Sequence, residues 1–336
     1  MLARFACEVL EAAGADRDEA ESVARILVWG DAVGLPNQGL WRLDTTVRRL
    51  EDGGIRSPCR LSMETVFPGC LRIDGNDGPG HYVAEVAIDE AIELARARGL
   101  AFVGVRNGNF CGALGYYVDR AARQDCVAFA FSNSFPKVVP AGGSIPALGT
   151  NPIAIGAPAT GGETFVLDMS TAASAGSTIT KLAEQGGELP PGVALGAEGQ
   201  PTLDPEAAAR GALLPFGGAK GFGLALVVEI VGGILSEAAV SREVESMYHF
   251  DAPGRNGQAF IVLNTGHFLT RERYTSRFDA LRNYVVEDQD VRLPGERRSA
   301  ALADAERNGV YLEPSTQAKL SNLARGLRIS HPFPDA

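Results

Sequence analysis

Between residues 70 and 135 the apolar pattern switches repeatedly between strand and helix periods. Cys70 to Asp74 reads as a short strand. Val83, Val86, Ala87, Ala91, Leu94 and Ala95 then recur at helical spacing up to Gly99. Leu100 to Val105 is a short apolar run of the kind that makes a buried strand. A Gly/Asn loop from Arg106 opens into a helix ending at Gln124, and Val127 to Ser134 is a further strand. This alternation constrains the chain to an α/β fold. Around it, residues 1–30 read as two amphipathic helices, the second capped by Asp16, and residues 275–325 read as mostly helical. Residues 136–165 read as a series of turns leading to the strand Thr164 to Met169. Residues 186–211 are rich in Gly and Pro and read as an extended loop with little core.

A second feature lies at Ala212 to Gly233. Gly217, Gly218, Gly221 and Gly223 surround Lys220, and an apolar run of helical length follows. Glycine backbone lets a ligand approach closely, and a helix that starts there presents free N–H groups to an anion. A tight turn into a buried helix is the alternative, and the residues alone leave both open. The spacing is not that of a P-loop.

The formal net charge of −10 argues against nucleic acid and anionic membrane as main partners. Five cysteines, odd in number and without a C-x-x-C pair, point away from a disulfide framework or zinc site and toward a reducing cytoplasm. No apolar run reaches membrane-spanning length without Gly or charge, and the N-terminus has no signal-peptide pattern. No His/Asp/Glu cluster has metal-ligand spacing, so no metal is expected.

Several motifs in order complete the pattern: Asp74 and Gly75 with Gly80, Gly112 to Tyr117, Pro140 to Gly143, Leu148 to Pro152, Val166 to Thr171, Leu214 to Leu224, and Leu293 to Arg297. Together they resemble the second type of malate/L-lactate dehydrogenase, over nearly the whole chain. This is the family of NAD(P)-dependent 2-hydroxyacid, ureidoglycolate, sulfolactate and diketogulonate oxidoreductases and cyclic ketimine reductases. The resemblance implies a non-Rossmann dinucleotide-binding α/β fold with a helical N- and C-terminal domain, residues 1–68 with 275–336, around a central cofactor-binding domain, 69–274. It implies NADPH or NADH as cofactor, held by Gly149, Thr150, Asn151, Lys220, Gly221 and Gly223. It also implies a homodimer with the active site at the subunit interface.

The chain departs from the family at two motifs. The first is usually Ser-His-Gly with an arginine three residues on; here it is Asn37, Gln38, Gly39 and Arg42. The second is usually Asn-His-Phe-Gly; here it is Asn109, Phe110, Cys111 and Gly112. The second histidine is the family's usual proton donor and acceptor. The four histidines present, His81, His249, His267 and His331, fall at neither motif. His81 reads as an exposed loop residue, with a place in the cleft as the alternative, and the other three read as surface or tail groups.

Reducing a ketone requires an acid for the developing alkoxide, and a positioned acid contributes roughly 10²–10⁴-fold in rate. Gln38 can hydrogen-bond but cannot titrate near neutrality, and Phe110 can do neither. An imine lowers the demand, because a protonated iminium carbon is already electrophilic. The expected function is therefore NAD(P)H-dependent reduction of a small carboxylate-bearing imine or ketone. Arg42 and Asn37 would bind the carboxylate. Gln38, Lys137, Asp168, Tyr117 and Cys111 are the candidates for catalytic work. Four of these residues have a plain structural alternative: Tyr117 as helix packing, Cys111 as a small core residue, Lys137 as a solvated charge and Arg42 as a surface helix arginine. The other functional reading is a scaffold diverted to a cyclisation, an elimination or ligand binding.

Overall fold

The computed structural model describes residues 1–288 and 291–333. Helices α1 (Leu2–Ala12) and α2 (Arg17–Ala32) open the chain, and the Asp16 carboxylate caps α2 by accepting from the Asp18 N–H at 3.1 Å. Two short 3₁₀ turns, Pro36–Gln38 and Leu40–Arg42, lead into α3 (Leu43–Asp52). Strands β1 (Ser62–Phe67) and β2 (Cys70–Asp74) form a hairpin. Then follow α4 (Gly80–Arg98), β3 (Leu100–Gly108), α5 (Gly115–Ala122), β4 (Cys126–Ser132), β5 (Ile153–Pro158), β6 (Thr164–Met169) and α6 (Gly176–Glu184). Two-residue strands β7 (Ala194–Leu195), β8 (Pro201–Thr202) and β9 (Ala212–Leu213) surround α7 (Pro205–Arg210). Helix α8 (Ala219–Val228) runs on into a π-helical turn, Glu229–Ile234. Strand β10 (Asn256–Asn264) and helices α9 (Arg271–Val285), α10 (Glu296–Asn308) and α11 (Pro314–Gly326) complete the fold.

The main sheet has the order β1-β2-β3-β10-β4-β5-β6. Among the described residues β2 and β3 are the one parallel pair of this sheet, because α4 carries the chain back between them. Strand β10 arrives from far along the sequence and pairs antiparallel with both β3 and β4. The strands of the central alternation are thus adjacent only in part.

Helix α4 lies against this sheet. Val83, Ala84, Ala87, Ile88, Ala91, Ile92 and Ala95 are buried with Val103, Val105, Phe260 and Val262 in one apolar cluster. The small residues on α4 let the helix approach β3 and β10 closely. A second cluster joins α1, α2 and α3 to α11 through Phe5, Leu10, Leu27, Leu43, Val47 and Leu320.

Two stretches differ from the sequence expectation. Residues 136–165 contain β5 as well as turns. Its Ile-Ala-Ile-Gly-Ala run hides its strand character behind Gly156, which is needed because a Cβ there would fall on the Val118 carbonyl oxygen. Residues 186–211 are not a coreless loop. They hold the β8-β7-β9 sheet and α7, and bury Leu189, Val193, Ala194 and Ala208 in a third cluster with Leu213 and Ala225. Strands of two residues are too short to show a period.

Candidate active site

A cleft of about 550 Å³ opens beside the ends of β4 and β6. That volume is in the range of small-molecule sites. Its walls come from the 3₁₀ turns at 35–42, the segment 110–114, the segment 132–137 after β4, Thr150, the end of β6, the start of α6, Met247, Tyr248 and Arg298.

The first wall is set by Asp31 in α2. Its carboxylate accepts from the Leu40 N–H at 2.7 Å, and a side chain at Gly39 would collide with it. Burial pushes the Asp31 carboxyl up to about 7. The turn so held presents Asn37, Gln38 and Arg42. Arg42 is buried, not a surface arginine. Its Nε donates to the Asn37 carbonyl at 2.9 Å and its Nη1 to the Tyr248 hydroxyl at 3.1 Å, with the Met247 sulfur at 3.9 Å. The guanidinium carbon lies 5.4 Å from the centre of the Phe110 ring. The Gln38 side-chain carbonyl oxygen, Oε1, is buried without a hydrogen-bond partner.

The opposite wall carries Asp168 at the end of β6. Its Oδ2 accepts from the Gly115 N–H at the start of α5 at 2.9 Å and lies 3.7 Å from Arg298 Nη2, which donates to the Asp168 carbonyl at 3.1 Å. Burial raises the Asp168 carboxyl, and Arg298 and the Gly115 N–H partly offset this. Lys137 lines the cleft with its ammonium donating to the Ala209 and Gly211 carbonyls at 2.8 and 3.0 Å. Burial lowers its pKa. Cys111 also lines the cleft, and burial pushes its thiol up to about 12. Tyr117 lies outside the lining. It is fully buried, its hydroxyl donates to the Cys111 carbonyl at 2.6 Å, and burial raises its pKa.

His81 is a correction to the sequence expectation. It sits in the first turn of α4, buried rather than in an exposed loop. Its ring meets Phe110 edge-on, with centroids 5.6 Å apart, and its Nε2 has no partner. Burial lowers its pKa to about 4, so it is neutral. Phe110 lines the cleft and His81 does not. His249 and His267 are exposed.

The loop at 149–151 is built for close approach. A Cβ on Gly149 would fall on the Ser134 carbonyl oxygen. Asn151 is buried with φ of 35°. Its side chain accepts from the Ser134 N–H at 3.1 Å and donates to Glu229 Oε1 at 2.9 Å. Glu229 Oε2 accepts from Asn133 Nδ2 at 3.1 Å, so one buried carboxylate fixes the ends of both segments. Thr150 faces the cleft. Gly176 opens the N-terminus of α6 at the cleft with nothing within 4 Å of its Cβ position. Hydroxyls, free backbone N–H groups and open space there fit the polar parts of a dinucleotide. Lys220 and Gly223 face solvent, and Gly221 is buried beneath Phe216; none of the three lines the cleft.

The family model for malate/L-lactate dehydrogenase matches residues 1–321. The chain belongs to the malate/L-lactate dehydrogenase family. Within this family of oxidoreductases it is 33% identical over 323 residues to L-sulfolactate dehydrogenase of Methanothermobacter thermautotrophicus, covering 96% of this chain and 94% of that one. It is 33% identical over 320 residues to Δ1-pyrroline-2-carboxylate reductase of Ancylobacter novellus, covering 94% of each. The solved structure of Δ1-piperideine-2-carboxylate reductase from Pseudomonas syringae superposes with a TM-score of 0.89 at 30% identity, covering 96% of this chain and 98% of that one. The α/β fold is therefore that of the malate/L-lactate dehydrogenases. Arg298, Tyr248 and Asp31 were missed from the sequence. Arg298 lies just beyond the Leu293 to Arg297 motif, which is a usable signal; the other two carry none.

Proposed function

We propose that this chain is an NAD(P)H-dependent reductase of a small cyclic 2-imino acid. Gln38 carries the reading. Gln38 lines the cleft, and its carbonyl oxygen, shielded and unpartnered, would turn to meet a ligand there. An unpaired buried acceptor costs about 1–3 kcal/mol, which a ligand N–H recovers. A protonated imine or its amine product offers that N–H, whereas a keto oxygen offers only another acceptor. Arg42 adds the second half: a buried guanidinium with neutral partners suits a substrate carboxylate.

NAD(P)H, when bound, supplies the hydride for the substrate's 2-carbon. Thr150, Ser134 and Ser170 and the N-terminus of α6 would hold it. Asp168 faces the same cleft, and its charge would favour a cationic substrate nitrogen. The absence of an imidazole at positions 38 and 110 is tolerable for an imine and costly for a ketone. The test is steady-state NADH and NADPH oxidation with a panel of 2-oxo acids and cyclic 2-imino acids. Turnover of imines supports the proposal, and no turnover with either class sinks it. Binding of NAD(P)H without any turnover would instead favour the diverted scaffold, the reading that the loss of both histidines also permits.

A homodimer belongs to this proposal. Leu226, Val227, Ile230, Ile234 and Leu235 on α8 and the turn after it are exposed on one chain. Contiguous exposed apolar surface of this kind marks an interface. Five free cysteines suit a cytoplasmic enzyme.

A further inference from the structure

We propose that Tyr248 is the proton donor of the reduction, an inference that rests on the reductase reading above. A neutral imine needs a donor to become the electrophilic iminium, and Phe110 and Gln38 occupy the two positions where an imidazole would serve. The other acids near it are engaged or shielded. The Tyr117 hydroxyl is held by the Cys111 carbonyl outside the cleft. The Lys137 ammonium is tied to two carbonyls. The Cys111 thiol is buried, and His81 is buried against Phe110 outside the cleft lining. Tyr248 differs from all of these. Tyr248 lines the cleft, and its hydroxyl accepts from Arg42 Nη1 at 3.1 Å, so its own proton is left to be given away.

The loop that carries Tyr248 is fixed. Arg49, buried under it, donates to the His249 carbonyl at 2.9 Å, to the Ala252 carbonyl at 2.8 Å and to Asn109 Oδ1 at 3.0 Å. One side chain thus bolts this loop to the residue preceding Phe110. Phe135 meets the Tyr248 ring edge-on at 6.2 Å. The phenol is thereby held one guanidinium away from position 110.

The step balances. The substrate's 2-carbon gains a C–H bond with hydride from NAD(P)H, which is oxidised. The Tyr248 O–H bond breaks to give the neutral imine nitrogen its proton, and the π pair of the C=N bond moves onto that nitrogen as the hydride arrives. The phenolate is stabilised by Arg42 and regains a proton from water. Gln38 Oε1 accepts from the N–H so formed.

The experiment uses Tyr248→Phe in the full chain, with Δ1-piperideine-2-carboxylate and NADPH. The half-exposed side chain tolerates this change, and NADPH fluorescence titration confirms an intact site. The expected result is a loss of roughly 100-fold or more in kcat with KM within a few-fold. Phe110→His in the same background is expected to recover at least about tenfold, because an imidazole there can give the proton. A loss confined to KM, or kcat within about threefold of wild type, overturns Tyr248 as donor and leaves the reductase reading standing. No turnover by the wild-type protein overturns both. An independent readout is the ¹³Cζ-tyrosine NMR signal of Tyr248 in the complex with oxidised cofactor and the cyclic amino acid product. A shift on adding the product is expected; no shift contradicts contact between the phenol and the substrate nitrogen.

Discussion

Arg42 and Asp31 show how one short turn is made into half of a site. Arg42 is buried against an aromatic ring and neutral dipoles, an arrangement that awaits an anion. Arg42→Ala should raise KM for the carboxylate substrate by roughly 10–100-fold, since a charge-assisted hydrogen bond contributes about 1.5–3 kcal/mol. Steady-state kinetics check this, and an unchanged KM would remove Arg42 from the substrate. Asp31 positions the same turn at an electrostatic cost. Its folded pKa is raised to about 7 by burial, above its unfolded value. The proton is therefore held more tightly in the folded state. That contribution is fully present below about pH 4 and is lost as pH rises through about 7. Asp31→Asn, which keeps an acceptor for the Leu40 N–H, should flatten this loss. Melting curves should show the variant gaining on wild type from pH 4 to pH 7, by about 4 kcal/mol at most. A constant gap across that range would contradict it.

Among the elements, β10 and α4 carry the scaffold. Phe260 on β10 is fully buried against α4, and β10 lies between β3 and β4 and pairs with both. Phe260→Ala should cost about 3–5 kcal/mol in denaturant unfolding. A cost under 1 kcal/mol would mean the core collapses around the gap. Helix α4 was legible in the sequence because its apolar residues repeat over five turns. Strand β5 was not, because a helix packs so close that it needs Gly156, and glycine reads as a turn. The β8-β7-β9 sheet was not, because its strands fall below the length at which a period exists. The cleft was legible at Gln38, Arg42 and Asp168, which lie on named motifs. Tyr248 was not, because it reaches Arg42 from more than two hundred residues away through the Arg49 framework. His81 was misplaced for a related reason. The Gly-Pro-Gly before it looks like a loop, yet the helix begins at Gly80 and takes the imidazole inward.

For the whole molecule, the exposed apolar residues of α8 and its π-helical turn set the expected assembly. Sedimentation should give a dimer at micromolar concentration, and Ile230→Asp should shift it to monomer, since a carboxylate in an apolar interface is costly to desolvate. A wild-type monomer would contradict the interface. The same π-helical turn holds Glu229, whose carboxylate fixes Asn151 and Asn133 at the cleft, so the proposed interface and the cleft share one element. In the proposed function one chemical choice rests on Gln38, an amide standing where an imidazole would favour a ketone. The most direct measurement is the ratio of kcat/KM for Δ1-piperideine-2-carboxylate to that for oxaloacetate, with NADPH and NADH each tested at saturation. The expected result is a ratio of at least about ten in favour of the imine, the scale of one buried hydrogen bond. A ratio below one would contradict the assignment of an imine substrate.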